Sequence, residues 1–173
     1  MLNKMVLTDK EIRDKVIAKE ITIDPYSDGS LSPASYDLSL GSFQSLNMTE
    51  RHGGDCLELD KKITIYPGES FLCSTIEIVG FPNNITGELV SKSSTGRKGL
   101  SLFSPGWIDP GFIGQLTVGM KNETYKDITL QYGQKLWQII FEECTPASQA
   151  YTGHYQNSKG VVGDKSGDAV LDV

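Results

Sequence analysis

Ile128-Thr-Leu-Gln-Tyr-Gly-Gln-Lys-Leu-Trp-Gln-Ile-Ile-Phe141 holds two short segments rich in β-branched and aromatic residues, Ile128 to Leu130 and Leu136 to Phe141, on either side of a glycine-containing break. That composition belongs to strands joined by a turn. Outward from it the same texture recurs at Ser35 to Leu40, Lys62 to Tyr66, Ser70 to Ile78, Ile85 to Val90 and Gln115 to Met120, with Gly, Pro, Asn and Asp between them. Many short strands with turn signals predict a mainly β fold, a distorted jelly roll or barrel. One helix precedes them. Thr8-Asp-Lys-Glu11 fits a capping box, and Ile12, Val16 and Ile17 follow at helical spacing, which predicts a helix over residues 9 to 20.

The chain has 173 residues, 16 Lys plus Arg against 22 Asp plus Glu, a formal charge of −6, and 18 glycines. At roughly 150 residues per domain, this is one core. We place a single β-rich domain at residues 1–144 and a flexible tail or lid at 145–173, where apolar periodicity gives way to Gly, Ser and Asp. No apolar run approaches the ~18 residues of a membrane helix. The first ten residues lack a signal-peptide pattern, so a cytoplasmic protein without membrane contact is expected. Cys56, Cys73 and Cys144 form no CxxC pair, which argues against a disulfide framework and a zinc knuckle. The acidic balance argues against a nucleic-acid coat. Against it stands Ser91-Lys-Ser-Ser-Thr-Gly-Arg-Lys-Gly-Leu100, basic and hydroxyl-rich with no carboxylate, which reads either as a small polyanion site or as a solvated turn.

Several chemistries are excluded by what is missing. There is no P-loop, no GxSxG elbow and no HExxH. The HxE and PCxxC pair of zinc deaminases is also lacking. His52 and His154 are too few for a histidine metal site, and His52 lies in a polar loop that reads as ordinary surface. Asp109 is the leading carboxylate, because Trp107, Ile108 and Phe112 would set it beside apolar surface suited to a general base. Asp109-Pro-Gly111 is equally good turn chemistry. Tyr151, His154, Tyr155 and Lys159 give the tail aromatic faces and donors that can order over a bound anion.

Taken together the motifs resemble the dCTP deaminase and dUTPase superfamily, and more closely its deaminase-type branch. The resemblance runs through Ile21-Thr-Ile-Asp-Pro25, Leu31-Ser-Pro-Ala-Ser-Tyr-Asp-Leu-Ser-Leu-Gly41, Tyr66-Pro-Gly-Glu-Ser-Phe-Leu72, Ser91 to Leu100, Gly106-Trp-Ile-Asp-Pro-Gly-Phe-Ile-Gly114, Asn122 and Ile128 to Phe141. Tyr155, Gln156 and Gly160 look like its C-terminal lid. It implies the dUTPase fold assembled as a homotrimer, with sites at subunit boundaries for a deoxynucleoside triphosphate and Mg²⁺. By that resemblance Ser93, Ser94 and the Gly96 amide grip phosphate, with Lys92 and Thr95 beside them, and Arg97 supplies a charged fork. Phe112 packs on the deoxyribose, and main chain at Thr117, Val118 and Gly119 reads the base. Tyr151, His154, Tyr155, Gln156 and Ser158 close the site. Mg²⁺ is expected on the triphosphate and waters, with no direct protein ligand.

The departures bear on the reaction. Deaminases of this branch keep a water-activating glutamate three residues before the asparagine, and here that position is Gly119. Loss of a general base costs about 10²–10⁴ in rate. Lys92 stands for an arginine, His154 for a lid lysine and Ser158 for a lid glutamine; the loop from Ser101 to Trp107 is one residue short. dUTPases need no acid at Gly119 and rely on the equivalent of Asp109. The expected activity is therefore dUTP diphosphatase, dUTP and water giving dUMP and diphosphate, with catalytic Asp109, Arg97 and Ser93. The alternatives are a dCTP deaminase, alone or bifunctional, and a nucleotide-binding regulatory protein; dCTP and dTTP are further candidate ligands.

Overall fold

Side chains along Ser35–Leu40 alternate strictly, Tyr36, Leu38 and Leu40 entering the core while Ser35, Asp37 and Ser39 take the other face. That period of two is the signature of a strand. A computed structural model describes residues 5–46 and 61–165; the expectations for His52 and Cys56 lie outside the described residues. In chain order the elements are α1 (Asp9–Ile17), β1 (Thr22–Asp24), a 3₁₀ turn (Asp28–Ser30), β2 (Leu31–Ser32), β3 (Ser35–Ser45), β4 (Lys62–Ile65), β5 (Ser70–Gly80), β6 (Ile85–Ser91), α2 (Ser93–Arg97), β7 (Leu100–Ser104), β8 (Trp107–Ile108), β9 (Ile113–Asn122), β10 (Ile128–Gln131) and β11 (Lys135–Glu143). The mainly β reading is correct.

The larger sheet runs β7-β9-β5-β3-β11-β6-β8, with β1 added to β5 and β2 to β3; β10 and β4 make a separate ribbon. Every recorded pairing is antiparallel. The sheet curls on itself. Trp137 on β11 and Met120 on β9 come from strands that are not neighbours, yet the indole N–H points at the Met120 sulfur at 3.2 Å. Inside the curl, Phe43 packs on Phe71 and Phe81 on Phe141, each pair with ring centroids 5.3 Å apart.

The helix starts where expected. Glu11 accepts from the Thr8 amide at 2.8 Å and from the Thr8 hydroxyl at 2.9 Å, closing the box. It ends three residues early, at Ile17. Lys19 adopts φ 60°, and the amides of Lys19 and Glu20 return to the carbonyls of Val16 and Lys15, the Schellman pattern with lysine in the place usually held by glycine. Ile17 is also not a core residue. At about 100° per residue it lies some 140° around the helix from buried Ile12, and it is 73% exposed.

Besides the short strands β1, β2 and β8, two elements near the basic segment were not foreseen. Ser93–Arg97, read as a turn, forms the short helix α2, pinned from below by Thr95, whose buried hydroxyl donates to the Leu136 carbonyl at 2.8 Å. Leu100–Ser104 forms β7 on the edge of β9. Cys73 and Cys144 are free thiols. Among the described residues no helix is long and apolar enough to cross a membrane.

Candidate active site

The Asp109-Pro-Gly111 turn joins β8 to β9, and its main chain fixes where Asp109 stands. Phe112 donates its amide to the Asp109 carbonyl at 3.2 Å, and its carbonyl accepts from the Phe81 amide at 2.9 Å. Phe112 is thereby drawn in, 7% exposed, while Asp109 stays at the surface of a cavity of about 520 Å³. Phe103, Trp107, Ile108, Phe112, Leu116 and Tyr151 give that cavity apolar walls around the acid. Phe112 meets the Tyr151 ring edge-on at 5.7 Å.

The tail forms the opposite wall. Asn157 donates its amide to the Ile113 carbonyl at 2.8 Å, and the Gln115 amide donates to the Ser158 carbonyl at 2.9 Å, so these two main-chain bonds hold the tail against the start of β9. β7 stops being in register at Gly119. Between these two partners, among the described residues, the Thr117 main chain is in register with neither, and Thr117 lines the cavity. Side chains complete the seam. Gln115 accepts from the Gly160 amide at 2.6 Å and Thr117 from the Val162 amide at 2.9 Å.

Gly111 makes this approach possible. Its φ is +87°, and a Cβ there would lie 2.6 Å from the Ala150 Cβ and 2.7 Å from the Tyr151 nitrogen. Gln156 works as a staple, accepting from the Ile113 amide and donating to the Gly111 carbonyl, both at 2.9 Å. Ser158 is buried, its hydroxyl donating to the Tyr155 carbonyl. Tyr155 lines the cavity and points its hydroxyl at Asp164, a second cavity carboxylate that the sequence reading missed. His154 lies outside the lining, exposed, its carbonyl accepting from Lys165 at 3.3 Å.

The basic segment is elsewhere in the chain. None of Lys92, Ser93, Ser94, Thr95, Gly96 and Arg97 lines the cavity. Lys92 donates to Asp37, buried on β3 and also approached by Gln138, so its charge has a partner within the fold. The Gly96 amide donates to the Lys92 carbonyl at 3.1 Å. Ser93, Ser94 and Arg97 are exposed, and among the described residues Arg97 makes no ion pair.

On β9, Val118 is buried and paired with Cys73. Gly119 lies beneath the Phe103 ring; a Cβ there would come within 2.3 Å of Cε2. Phe103 was not among the expected site residues, because nothing local in Ser101 to Trp107 says which way its side chain turns. The cavity thus joins an acid, a flat apolar wall and strand main chain, and among its described lining residues there is no lysine or arginine.

The model of the dCTP deaminase-like family matches residues 6–144. The chain belongs to that family. It is 32% identical over 167 residues to a dCTP deaminase, dUMP-forming, of Aquifex aeolicus, covering 91% of this chain and 93% of the relative. It is 37% identical over 164 residues to a dCTP deaminase of Pyrococcus horikoshii, covering 93% and 97%. The crystal structure of the 2′-deoxycytidine 5′-triphosphate deaminase from Agrobacterium tumefaciens superposes with a TM-score of 0.68 at 21% identity, covering 81% of this chain and 48% of that one, which shows a shared fold.

Proposed function

We propose that this chain is a dUTP diphosphatase built on a deaminase-type frame. The observation that carries the reading is the distribution of acids around the cavity: Asp109 stands on its wall, whereas β9, Ile113–Asn122, contains no Asp or Glu and the space over Gly119 is taken by the Phe103 ring. Attack on a cytosine ring needs an activated water at the base. Attack on the α-phosphorus needs one at the phosphate chain, and Asp109 is the group free to serve it. Its carboxylate takes a proton as the water oxygen bonds to phosphorus; the bond from phosphorus to the bridging oxygen breaks, and diphosphate leaves.

A triphosphate inside one chain alone would meet Asp109 and Asp164 and no cation from the lining residues. Exposed Arg97, Ser93 and Ser94 of a neighbouring copy are the natural complement, a guanidinium fork and hydroxyls for phosphate oxygens. This supports a homotrimer with shared sites. Among the described residues no three His, Cys, Asp or Glu side chains converge as a ligand set. The two cavity carboxylates are hard oxygen donors that fit Mg²⁺ arriving with the nucleotide and keeping its waters. When bound, the ion offsets charge on the phosphate oxygens.

Phe112 would pack on the sugar and the Thr117 main chain would meet the base edge. The deaminase names of the relatives favour a second reading, deamination of dCTP with or without hydrolysis. One assay separates them. Purified protein with Mg²⁺ is given dUTP or dCTP, and diphosphate and ammonia are recorded. Diphosphate from dUTP without ammonia from dCTP is the expected result; ammonia from dCTP overturns it. Binding with neither product would favour a regulatory role.

A further inference from the structure

Phe103 occupies an irregularity in the sheet. Leu102 pairs with Met120 and Ser104 with Gly119, so three residues of β7 face two of β9 and Phe103 is the extra one. A bulge re-aims the side chain it carries. Here the ring is turned across β9, with Cε2, Cζ and Cδ2 at 2.3, 2.7 and 2.8 Å from where a Gly119 Cβ would sit. The ring remains 52% exposed and lines the cavity beside Leu46, Leu72 and Thr117. A large flat apolar surface thus lies next to the Thr117 main chain, which is in register with Ser74 of β5 on one side and with neither β7 nor the tail on the other. That pairing suits a planar heterocycle, its face on carbon and its hydrogen-bonding edge on the backbone.

We propose that Phe103 is a specificity-determining residue, the platform on which the pyrimidine of the bound nucleotide packs, and that glycine at position 119 is the condition for the ring to lie there. The inference rests on the nucleotide reading above and adds to it a residue and a coupling. Positions 103 and 119 compete for one volume. A side chain at 119 must push the ring off the cavity wall. Because Phe103 is half-exposed, its ring can swing outward without disrupting the core, so the two positions are coupled through binding more than through folding.

The test is a double-mutant cycle on the full chain. Affinity for the non-hydrolysable α,β-imido-dUTP with Mg²⁺ is measured by calorimetry in wild type, Phe103→Ala, Gly119→Ala and the double variant, with circular dichroism checking the fold. Phe103→Ala is expected to weaken binding about tenfold, the range for loss of one base-stacking ring. Gly119→Ala is expected to weaken it by a similar factor although Phe103 is still present, and the double variant to be no weaker than Phe103→Ala. Phe103→Trp should retain affinity, which decides the matter if Gly119→Ala does not fold. Phe103→Ala binding within twofold of wild type overturns the proposal, as does an unchanged Gly119→Ala. Wild type that binds the analogue but never releases diphosphate from dUTP removes the proposed reaction and leaves Phe103 in place. Hydrolysis that is indifferent to Phe103 does the reverse, and a wild type that binds no nucleotide overturns both.

Discussion

Asp109 and Glu77 are both carboxylates beside apolar surface, and they have opposite exposures. Asp109→Asn removes the proton acceptor and preserves shape, so diphosphate release is expected to fall about 10²–10⁴-fold, with affinity for α,β-imido-dUTP within about tenfold by calorimetry. Undiminished turnover would take Asp109 out of the mechanism. Glu77 on β5 is 5% exposed, and burial raises its carboxyl above the ordinary 4.5, partly offset by the Ser39 amide donating to it at 2.9 Å and by Lys135. A raised carboxyl favours the protonated form in the folded state, so Glu77 burdens the fold once pH rises through the folded value and does not below 4.5. Glu77→Gln, which keeps an acceptor for Ser39, should therefore raise Tm at pH 7–8, with the gain shrinking toward zero near pH 4. A gain that grows toward acid would contradict this. Asp109 was legible in the sequence because its aromatic neighbours and turn are local. Phe103 over Gly119 and Lys92 on Asp37 were not, because each depends on which strands meet and in what register.

At the scale of elements, β3 to β6 and β9 to β11 were legible from composition and punctuation, while β1, β2, β7 and β8 were not, and the helix start was legible from its capping box. Its end was hidden because Lys19 does at φ 60° what glycine usually does. α2 was hidden because five residues of Ser, Thr, Gly and Arg carry no apolar periodicity; only the burial of Thr95 marks it. The tail was legible as polar, but its seam with β9 uses backbone and the side chains of Gln115, Thr117 and Gln156, which composition does not reveal. Ending the chain after Thr145 strips that seam and uncovers Phe112. The sheet should survive as one cooperative unit with Tm lowered by several degrees in calorimetry, about 2–4 °C for each kcal/mol lost. Turnover should fall more than stability, since the tail supplies Tyr151 and Tyr155 to the cavity wall. An unfolded product would make the tail part of the core.

At the scale of the molecule, the charge of −6 and the basic segment no longer conflict. Among the described residues the cavity lining holds Asp109 and Asp164 and no lysine or arginine, while exposed Arg97 stands outside it, so the proposed polyanion site would close only where copies meet. Mixing Asp109→Asn chains with Arg97→Ala chains tests this directly. Each is expected to be inactive alone, and after unfolding and joint refolding activity should return to roughly a quarter of wild type, the frequency of random pairings that bring an intact acid to an intact arginine. No recovery would place Asp109 and Arg97 in the service of the same copy or of different sites.

The Gln115 amide belongs to a strand of the core sheet, yet its acceptor is the Ser158 carbonyl of the tail. Further along β9, Gly119 to Lys121 lie in register with both β5 and β7 and exchange with solvent deuterium only when the sheet opens, whereas the Gln115 amide, like the Ile113 amide on Gln156, is released whenever the tail lifts. The exchange rate of a strand amide, with and without nucleotide, is therefore expected to report how often the tail lifts while the sheet stays closed.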